Sequence, residues 1–244
     1  MTNIYIVNMK TSLDRRINIS KQLESLNLPF QIFTAIDGRK KPQHPLISKY
    51  SKELSFKNKG QYLTPGQLGC YASHYLLWQK CIELNESIII IEDDAKIHTK
   101  HFLSFIKNIN SIPEDVECIR LFKNKRNHFT STFHASCGEI EIHQFSRGHM
   151  STTGYYLTPA GAKKFITKSN QWYLPVDIYM DQFWVNDVVC YGTVPACLTN
   201  DKKFDSDIGY AKKKKLTLKG KLNREIFNLS QTISRHIFNF KNHK

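Results

Sequence analysis

The chain opens with Ile4-Tyr5-Ile6-Val7, a short β-branched and aromatic run, and then places Leu13, Ile17, Ile19, Leu23 and Leu26 at near-helical spacing. This pattern predicts a strand followed by a helix. Pro29 stops the helix, and Phe30 to Ile36 reads as a second strand that runs into the turn pair Asp37-Gly38, completing a β-α-β unit. From Arg39 to Tyr62 the chain is polar, broken by Pro42 and Pro45, and without a strong period, so a long and partly mobile excursion is expected there. Thr64-Pro65 then starts a helix, with Thr as N-cap and Pro in the first turn. Leu68, Tyr71, Ala72, Tyr75, Leu76, Trp78 and Ile82 carry its apolar stripe, and Asn85 ends it.

Ile88 to Ile91 are four isoleucines without a polar break, the pattern of a strand covered on both faces, and they lead straight into Glu92-Asp93-Asp94. A helix is predicted from about His101 to Asn110, strands at 117–122, 139–145 and 153–158, and a helix from Pro159 to Lys168. The block Asp177 to Asn186 reads as helical and Val188 to Val194 as a late strand. Strands alternating with helices imply an α/β fold with a mostly parallel central sheet, whose ligands sit beyond the carboxyl ends of the strands. No internal repeat is present.

The last apolar stripe is Leu222, Ile226, Leu229, Ile233, Ile237 and Phe240, stepping by three or four residues with Lys221, Arg224, Arg235 and Lys241 around it: a basic amphipathic helix. Charge sharpens that reading. The chain carries a formal net charge of +14, and residues 208–244, with ten basic side chains against Glu225, hold +9 of it. Such an excess suits a polyanionic partner, but its confinement to the tail and the lack of a nucleic-acid motif speak against a specific nucleic-acid partner. No stretch reaches the roughly 18 apolar residues of a membrane span. Met1 to Lys10 lacks the pattern of an export signal. Six cysteines without a C-x-x-C pair are expected to be free thiols in a reducing cytoplasm.

The most informative chemistry is Glu92-Asp93-Asp94. Three adjacent carboxylates at the end of a buried strand repel one another unless a cation neutralises them, and oxygen-only ligands suit Mg²⁺ or Mn²⁺. Strand alternation would put Glu92 and Asp94 on one side and Asp93 on the other. The same triplet also reads as a solvated acidic turn. His74, among Tyr71, Tyr75 and Trp78, is either a bonded core residue or a ligand; Ser73 and His74, being adjacent, do not share a helix face, which rejects a Ser-His nucleophile. Arg15 and Arg16, close behind the first strand, are placed to grip a diphosphate or to decorate a first helical turn. Asp37 can accept ribose or base hydrogen bonds, or serve an ordinary turn. Asp177 and Asp181, one helical turn apart, can supply a general base through mutual repulsion, or an N-cap and a surface acid. Small residues beside aromatics in Ser151 to Tyr156 suit the wall of a sugar pocket or an ordinary strand and turn. No G-x-S-x-G elbow or phosphate-binding P-loop is present.

Taken in order, six stretches carry a resemblance: Ile4 to Asn8 with Asp14-Arg15-Arg16; Phe33 to Gly38; Leu63 to His74; Ile89 to Asp94; Gly154 to Leu157 with Gly161-Ala162; and Pro175-Val176-Asp177. Across about residues 3–200 the sequence resembles glycosyltransferase family 25, which includes bacterial lipopolysaccharide and lipooligosaccharide glycosyltransferases and eukaryotic collagen galactosyltransferases. One departure is Gln67, where the family pattern usually has an acid.

The resemblance implies a GT-A-like nucleotide-sugar-binding domain over residues 1–207, followed by the basic amphipathic segment 208–244. It implies a UDP-sugar donor, often UDP-galactose, and transfer with inversion to a lipid-linked oligosaccharide core, with Glu92-Asp93-Asp94 as the counterpart of the D-x-D motif. On that basis Glu92 and Asp94 are expected to hold Mn²⁺ or Mg²⁺; Asn8, Arg15, Arg16, Asp37, His74 and Asp93 to line the donor site; and Asp177, ahead of Asp181, to act as base. The tail is expected to anchor a cytoplasmic enzyme on the anionic inner leaflet, or else to pack on the catalytic domain or a second subunit; no oligomeric state is set. A metal-dependent phosphodiesterase or hydrolase is the competing enzyme class.

Overall fold

The computed structural model describes residues 3–201, 203–204 and 217–242. Its first unit is the expected one: β1 (Asn3–Asn8), α1 (Leu13–Glu24) and β2 (Gln31–Thr34), with β1 and β2 parallel. The polar stretch that follows holds more order than its pattern suggests, namely a 3₁₀ turn at Pro45–Lys49 and helix α2 (Lys52–Lys59). Two caps define α2: the Ser51 hydroxyl accepts from the Leu54 amide, and Gly60 ends the helix at φ 66°. Helix α3 (Pro65–Leu84) starts at Thr64 as expected, and β3 (Ile88–Glu92) follows.

Next come β4 (Ala95–Ile97), α4 (Thr99–Lys107), β5 (Cys118–Arg120), β6 (Ser131–Cys137), β7 (Ile140–Phe145), β8 (Gly154–Leu157) and α5 (Pro159–Lys168). Then α6 (Val176–Met180), α7 (Phe183–Asn186), β9 (Tyr191–Val194), β10 (Leu198–Asn200) and α8 (Leu218–Asn242) complete the chain. Strands β4, β6 and β10 are additions to the sequence reading. β6 is an edge strand whose Ser131, Thr132 and Phe133 stay exposed, so no buried alternation marks it. The domain boundary expected at 207/208 and the lysines 212–215 lie outside the described residues.

The large sheet has the order β2-β1-β3-β8-β5-β9-β7-β6. Strands β1, β2, β3, β5, β6 and β9 run one way; β8, between β3 and β5, and β7, between β9 and β6, run against them. The sheet is therefore more mixed than the mostly parallel one expected. A two-residue turn at Gly138-Glu139 suffices to reverse β6 into β7, which needs no crossover helix.

All four isoleucines of β3 are fully buried. Ile89 and Ile91 join Ile4, Ile6, Ile19, Leu23, Phe102 and Phe105 on one face, while Ile88 and Ile90 join Tyr5, Trp78, Tyr155, Leu157 and Phe165 on the other. An unbroken apolar strand is thus a strand with a core on each side.

Helix α8 packs on α2 and α7. Phe227 meets Tyr173 edge-on, Phe238 lies 5.1 Å from Phe183, and Lys59 sits over the Phe227 ring. The stripe read from the sequence faces the other way: Leu222, Ile226, Leu229, Ile233, Ile237 and Phe240 are all more than half exposed. No helix among the described residues is long and apolar enough to cross a membrane.

Candidate active site

A cleft of ≈ 660 Å³ opens where β1, β2 and β3 end. It is walled by Val7 and Met9, by Ala35 to Arg39, by Gly66, Cys70 and Ser73 of α3, and by Arg15 with Glu92, Asp93 and Asp94. Main-chain contact holds its sides together. A Cβ on Gly38 would land on the Pro65 carbonyl oxygen, and one on Gly69 on the carbonyl oxygen of Ile36. Ser73 locks the same junction, its hydroxyl accepting from the Ile36 amide at 2.8 Å and donating to Gly69 O at 2.8 Å. Gln67 completes a capping box: its side-chain oxygen accepts from the Thr64 amide at 2.9 Å while the Thr64 hydroxyl accepts from the Gln67 amide. An amide serves that box as an acid does, so the departure at Gln67 leaves the helix start intact.

Strand β3 ends at Glu92, and Asp93-Asp94 form a turn, so alternation does not govern the triplet. Each carboxylate goes to a different set of donors. Glu92 accepts from the Thr152 hydroxyl at 2.6 Å and faces His74 Nε2 at 3.6 Å. Burial pushes its pKa up, but His74 and Thr152 outweigh burial and leave it lowered. Asp93 accepts from Asn8 Nδ2 at 2.7 Å and from Arg15 at 3.4 Å; burial raises its pKa against those partners. Asp94 has one oxygen 3.4 Å from Asn200 Nδ2, while its Oδ1 is buried with no hydrogen-bond partner. Burial first, and then the charges of Glu92 and Asp93, push the Asp94 carboxyl up to about 7.

That orphaned oxygen fits a cation at this place, and His74 Nε2, also buried without a hydrogen-bond partner, is a second such atom nearby. A hard divalent ion would partner Asp94 Oδ1 and cancel the repulsion that holds its proton on, with Glu92 as the neighbouring oxygen ligand. Cys70, His74 and Glu92 form a second, softer donor set within 4.8 Å. Its electrostatics fit an ion less well. Trp78 Nε1 donates to the Tyr155 hydroxyl, whose oxygen lies 2.9 Å from His74 Nδ1, and His74 Nε2 lies 3.6 Å from Glu92. Burial and then the charges of Glu92 and Asp177 hold the Cys70 thiol protonated.

The structure divides the residues picked from the sequence. Arg15, Asp37, Asp93, Glu92 and Asp94 line the cleft. Asp37 accepts from Arg39, whose hydrogen bonds overcome the effect of burial and lower its pKa. Asn8 is buried and spent on Asp93 and the Ser12 carbonyl, so it braces the acid from behind. His74 is fully buried behind the cleft lining, next to its wall residues Glu92 and Cys70. Arg16 is exposed on α1, away from the cleft lining, because the helix turns it outward.

Asp177, in α6, is half-buried and close enough to Glu92 to feel its charge; burial first, then Asp181, push its carboxyl up to about 6. Asp181 is differently placed. It accepts from Arg120 at 3.3 Å, Arg126 at 3.1 Å, and the amides of His149 and Met150, both at 3.0 Å. Four donors occupy this carboxylate, which takes it out of the role of base that its spacing allowed. A side chain on Gly148 would collide with it. Arg120, 5.8 Å over the Tyr155 ring, and Asn200 were not singled out by sequence reasoning, and Thr152 was read only within the stretch Ser151 to Tyr156. Arg120 had a signal, a charge inside the apolar run Cys118 to Phe122, which demands a buried partner.

Comparison with known proteins comes to the same region of the chain. A family model described as "Glycosyltransferase family 25 (LPS biosynthesis protein)" matches residues 1–180. A glycosyltransferase 25 family member of Aedes aegypti is 23% identical over 85% of this chain and 38% of its own length. The lipooligosaccharide biosynthesis protein lic2B of Haemophilus influenzae is 35% identical over 37% of this chain and 33% of its own. Human procollagen galactosyltransferase 2 is 26% identical over 67% and 27%. The chain thus spans well under two thirds of the length of these relatives.

Proposed function

The chain belongs to glycosyltransferase family 25, and from that premise we propose that it transfers a hexose, galactose by preference, from a UDP-sugar to a lipooligosaccharide or lipopolysaccharide core, with inversion at the anomeric carbon, on a GT-A-like fold. The observation that carries this reading is the unpartnered Asp94 oxygen at the strand-end cleft, beside Glu92 and Asp93. Galactose follows from the procollagen galactosyltransferase relative, and the acceptor from the lipooligosaccharide relative.

The residues divide the work. Asp94, with Glu92, would hold Mn²⁺ or Mg²⁺, which when bound neutralises charge on the departing diphosphate. Arg15, steadied by Asp93, supplies a fixed cation to the same diphosphate. Asp37 accepts hydrogen bonds from the nucleoside, and Val7, Met9 and Ile36 give its base an apolar wall. Asp177 takes the proton from the acceptor hydroxyl as that oxygen attacks the anomeric carbon and the sugar–phosphate bond breaks. The His74, Tyr155 and Trp78 network orients Glu92.

With UDP-galactose, Mn²⁺ and a truncated lipooligosaccharide, UDP release is expected to depend on the acceptor and to yield a galactosylated product. UDP released at the same rate without any acceptor would instead identify a metal-dependent hydrolase, and UMP with galactose 1-phosphate a phosphodiesterase.

The same reading places the enzyme peripherally on an anionic cytoplasmic leaflet. Support comes from α8, whose outward apolar stripe is flanked by Lys219, Lys221 and Arg224 and preceded in sequence by four lysines. Each basic residue near such a surface contributes about 1 kcal/mol. We expect the protein to sediment with phosphatidylglycerol vesicles at low salt, and the triple variant Leu222→Gln/Leu229→Gln/Ile233→Gln, which alters only exposed positions, to stay in the supernatant. Equal sedimentation of the two would remove the anchor.

A further inference from the structure

A second cavity, ≈ 760 Å³, lies between the body and α8, and its polar lining is dominated by Lys59, Arg126, Arg147 and Arg235, with Trp184 and Phe227 as flat apolar walls. Among the described residues the one carboxylate on that lining is Asp181, already filled by Arg120, Arg126 and two amides. The cations work against one another. Burial and then Arg126 lower the pKa of Lys59 and of Arg147, and burial followed by Arg147 and Arg126 lowers that of Arg235. Gathering four positive groups into one cavity is unfavourable unless an anion completes it.

Two unspent polar atoms point to the same conclusion. Arg147 Nε is buried without a hydrogen-bond partner, and so is the side-chain oxygen of Gln182, a residue only 3% exposed, whose amide nitrogen goes to Gln231. Arg147 Nη1 is used on the Asn127 and His128 carbonyls, so the open positions are one guanidinium N–H and one side-chain carbonyl, which a ligand with both anionic oxygens and hydroxyl groups would satisfy. The aromatic pair adds a surface for the apolar face of a sugar ring.

We propose that this cavity binds a phosphate- or carboxylate-bearing sugar and that it is the acceptor subsite of the enzyme. Location supports the second part, which rests on the transferase reading above. Ile178 and Asp181 line the cavity, and Asp177, the base, precedes them on α6, close enough to Glu92 of the donor cleft to feel its charge. The anionic group would lock the acceptor glycan while a neighbouring hydroxyl is presented to Asp177. Helix α8 is then part of the site, since Phe227, Gln231 and Arg235 all belong to it.

The experiment measures binding of glucose 6-phosphate, glucuronate and glucose to the full chain by calorimetry, with and without saturating UDP and Mn²⁺. The two anionic sugars are expected to bind at least about tenfold more tightly than glucose in both conditions, and Arg147→Gln/Arg235→Gln to remove that preference. Arg126 is left in place because Asp181 needs it. Equal binding of glucose and glucose 6-phosphate, or an undiminished preference in a folded double variant, overturns the proposal. So does displacement of glucose 6-phosphate by phosphatidylglycerol vesicles, which would assign the cavity to a lipid headgroup. UDP affinity is read separately: its absence would count against the donor cleft, whereas lack of an anionic-sugar preference in the wild-type protein counts against this cavity alone.

Discussion

Asp177→Asn is expected to lower transfer from UDP-galactose by about 10²- to 10⁴-fold, the usual contribution of a general base, while UDP binding stays near its starting value. The amide keeps the volume of the side chain and loses the basic carboxylate oxygen that takes the acceptor proton. A pH profile gives the second readout. Burial and the charge of Asp181 push the Asp177 carboxyl up to about 6. Below that pH the group is protonated and cannot accept, so wild-type turnover should rise through about pH 6 and then level, and the variant should lose the rise. Asp181→Asn provides the contrast. Its carboxylate and Arg120 are both buried, and breaking such a pair by removing one partner costs on the order of 3–5 kcal/mol. A fall in Tm, more than a clean loss of turnover, is the expected signature there. Near-normal turnover of folded Asp177→Asn would move the base elsewhere.

The second large effect concerns Asp94→Asn. Replacing the one carboxylate in the cleft that has an unpartnered buried oxygen should abolish the stimulation of UDP binding by Mn²⁺ and cut turnover about a thousandfold, equivalent to roughly 4 kcal/mol of transition-state stabilisation. The variant is expected to fold, because removing one of three mutually repelling charges relieves strain between them. The pH dependence has a definite sign. Burial and the charges of Glu92 and Asp93 hold the Asp94 carboxyl up at about 7 in the absence of an ion. An ion competes with that proton, so Mn²⁺-dependent nucleotide affinity should fall as the pH drops below about 7. Asp93→Asn should behave differently: Asn8 and Arg15 use that carboxylate as a brace, and its loss would disturb the turn before it disturbs the ion. Titration of UDP binding with and without Mn²⁺, in wild type and both variants, separates these roles. An Asp94→Asn protein that still responds to Mn²⁺ would refute the assignment.

Elements that own a strong apolar pattern were legible before any coordinates. The β3 isoleucines, the Thr64-Pro65 start of α3 and the Pro159–Lys168 helix all stand where periodicity and capping put them. Others escaped because something other than periodicity stabilises them. Helix α2 is held by Ser51 and Gly60 at its ends, β6 by pairing with β7 at a solvent-facing edge, and β10 by pairing with β4. At the site, the presence of an acidic cluster was readable and its division of labour was not. The expectation of a shared face for Glu92 and Asp94 assumed an extended chain through all three residues, but the strand ends at the first of them. The tail shows the same limit from the other side. The stripe read from the sequence stays exposed on α8, while the docking face is made of Phe227, Gln231 and Phe238, whose partners are remote in the chain.

The abutment of Gly38 on Gly69 leaves one flank of the strand-end cleft built from bare polypeptide backbone. A surface of that kind cannot be retuned by exchanging residues there, since any side chain would force the two segments apart. Attempts to evolve the protein toward other activated sugars should therefore leave that seam alone and randomise Met9, Arg39 and Cys70, whose variable groups form the adjustable remainder of the wall.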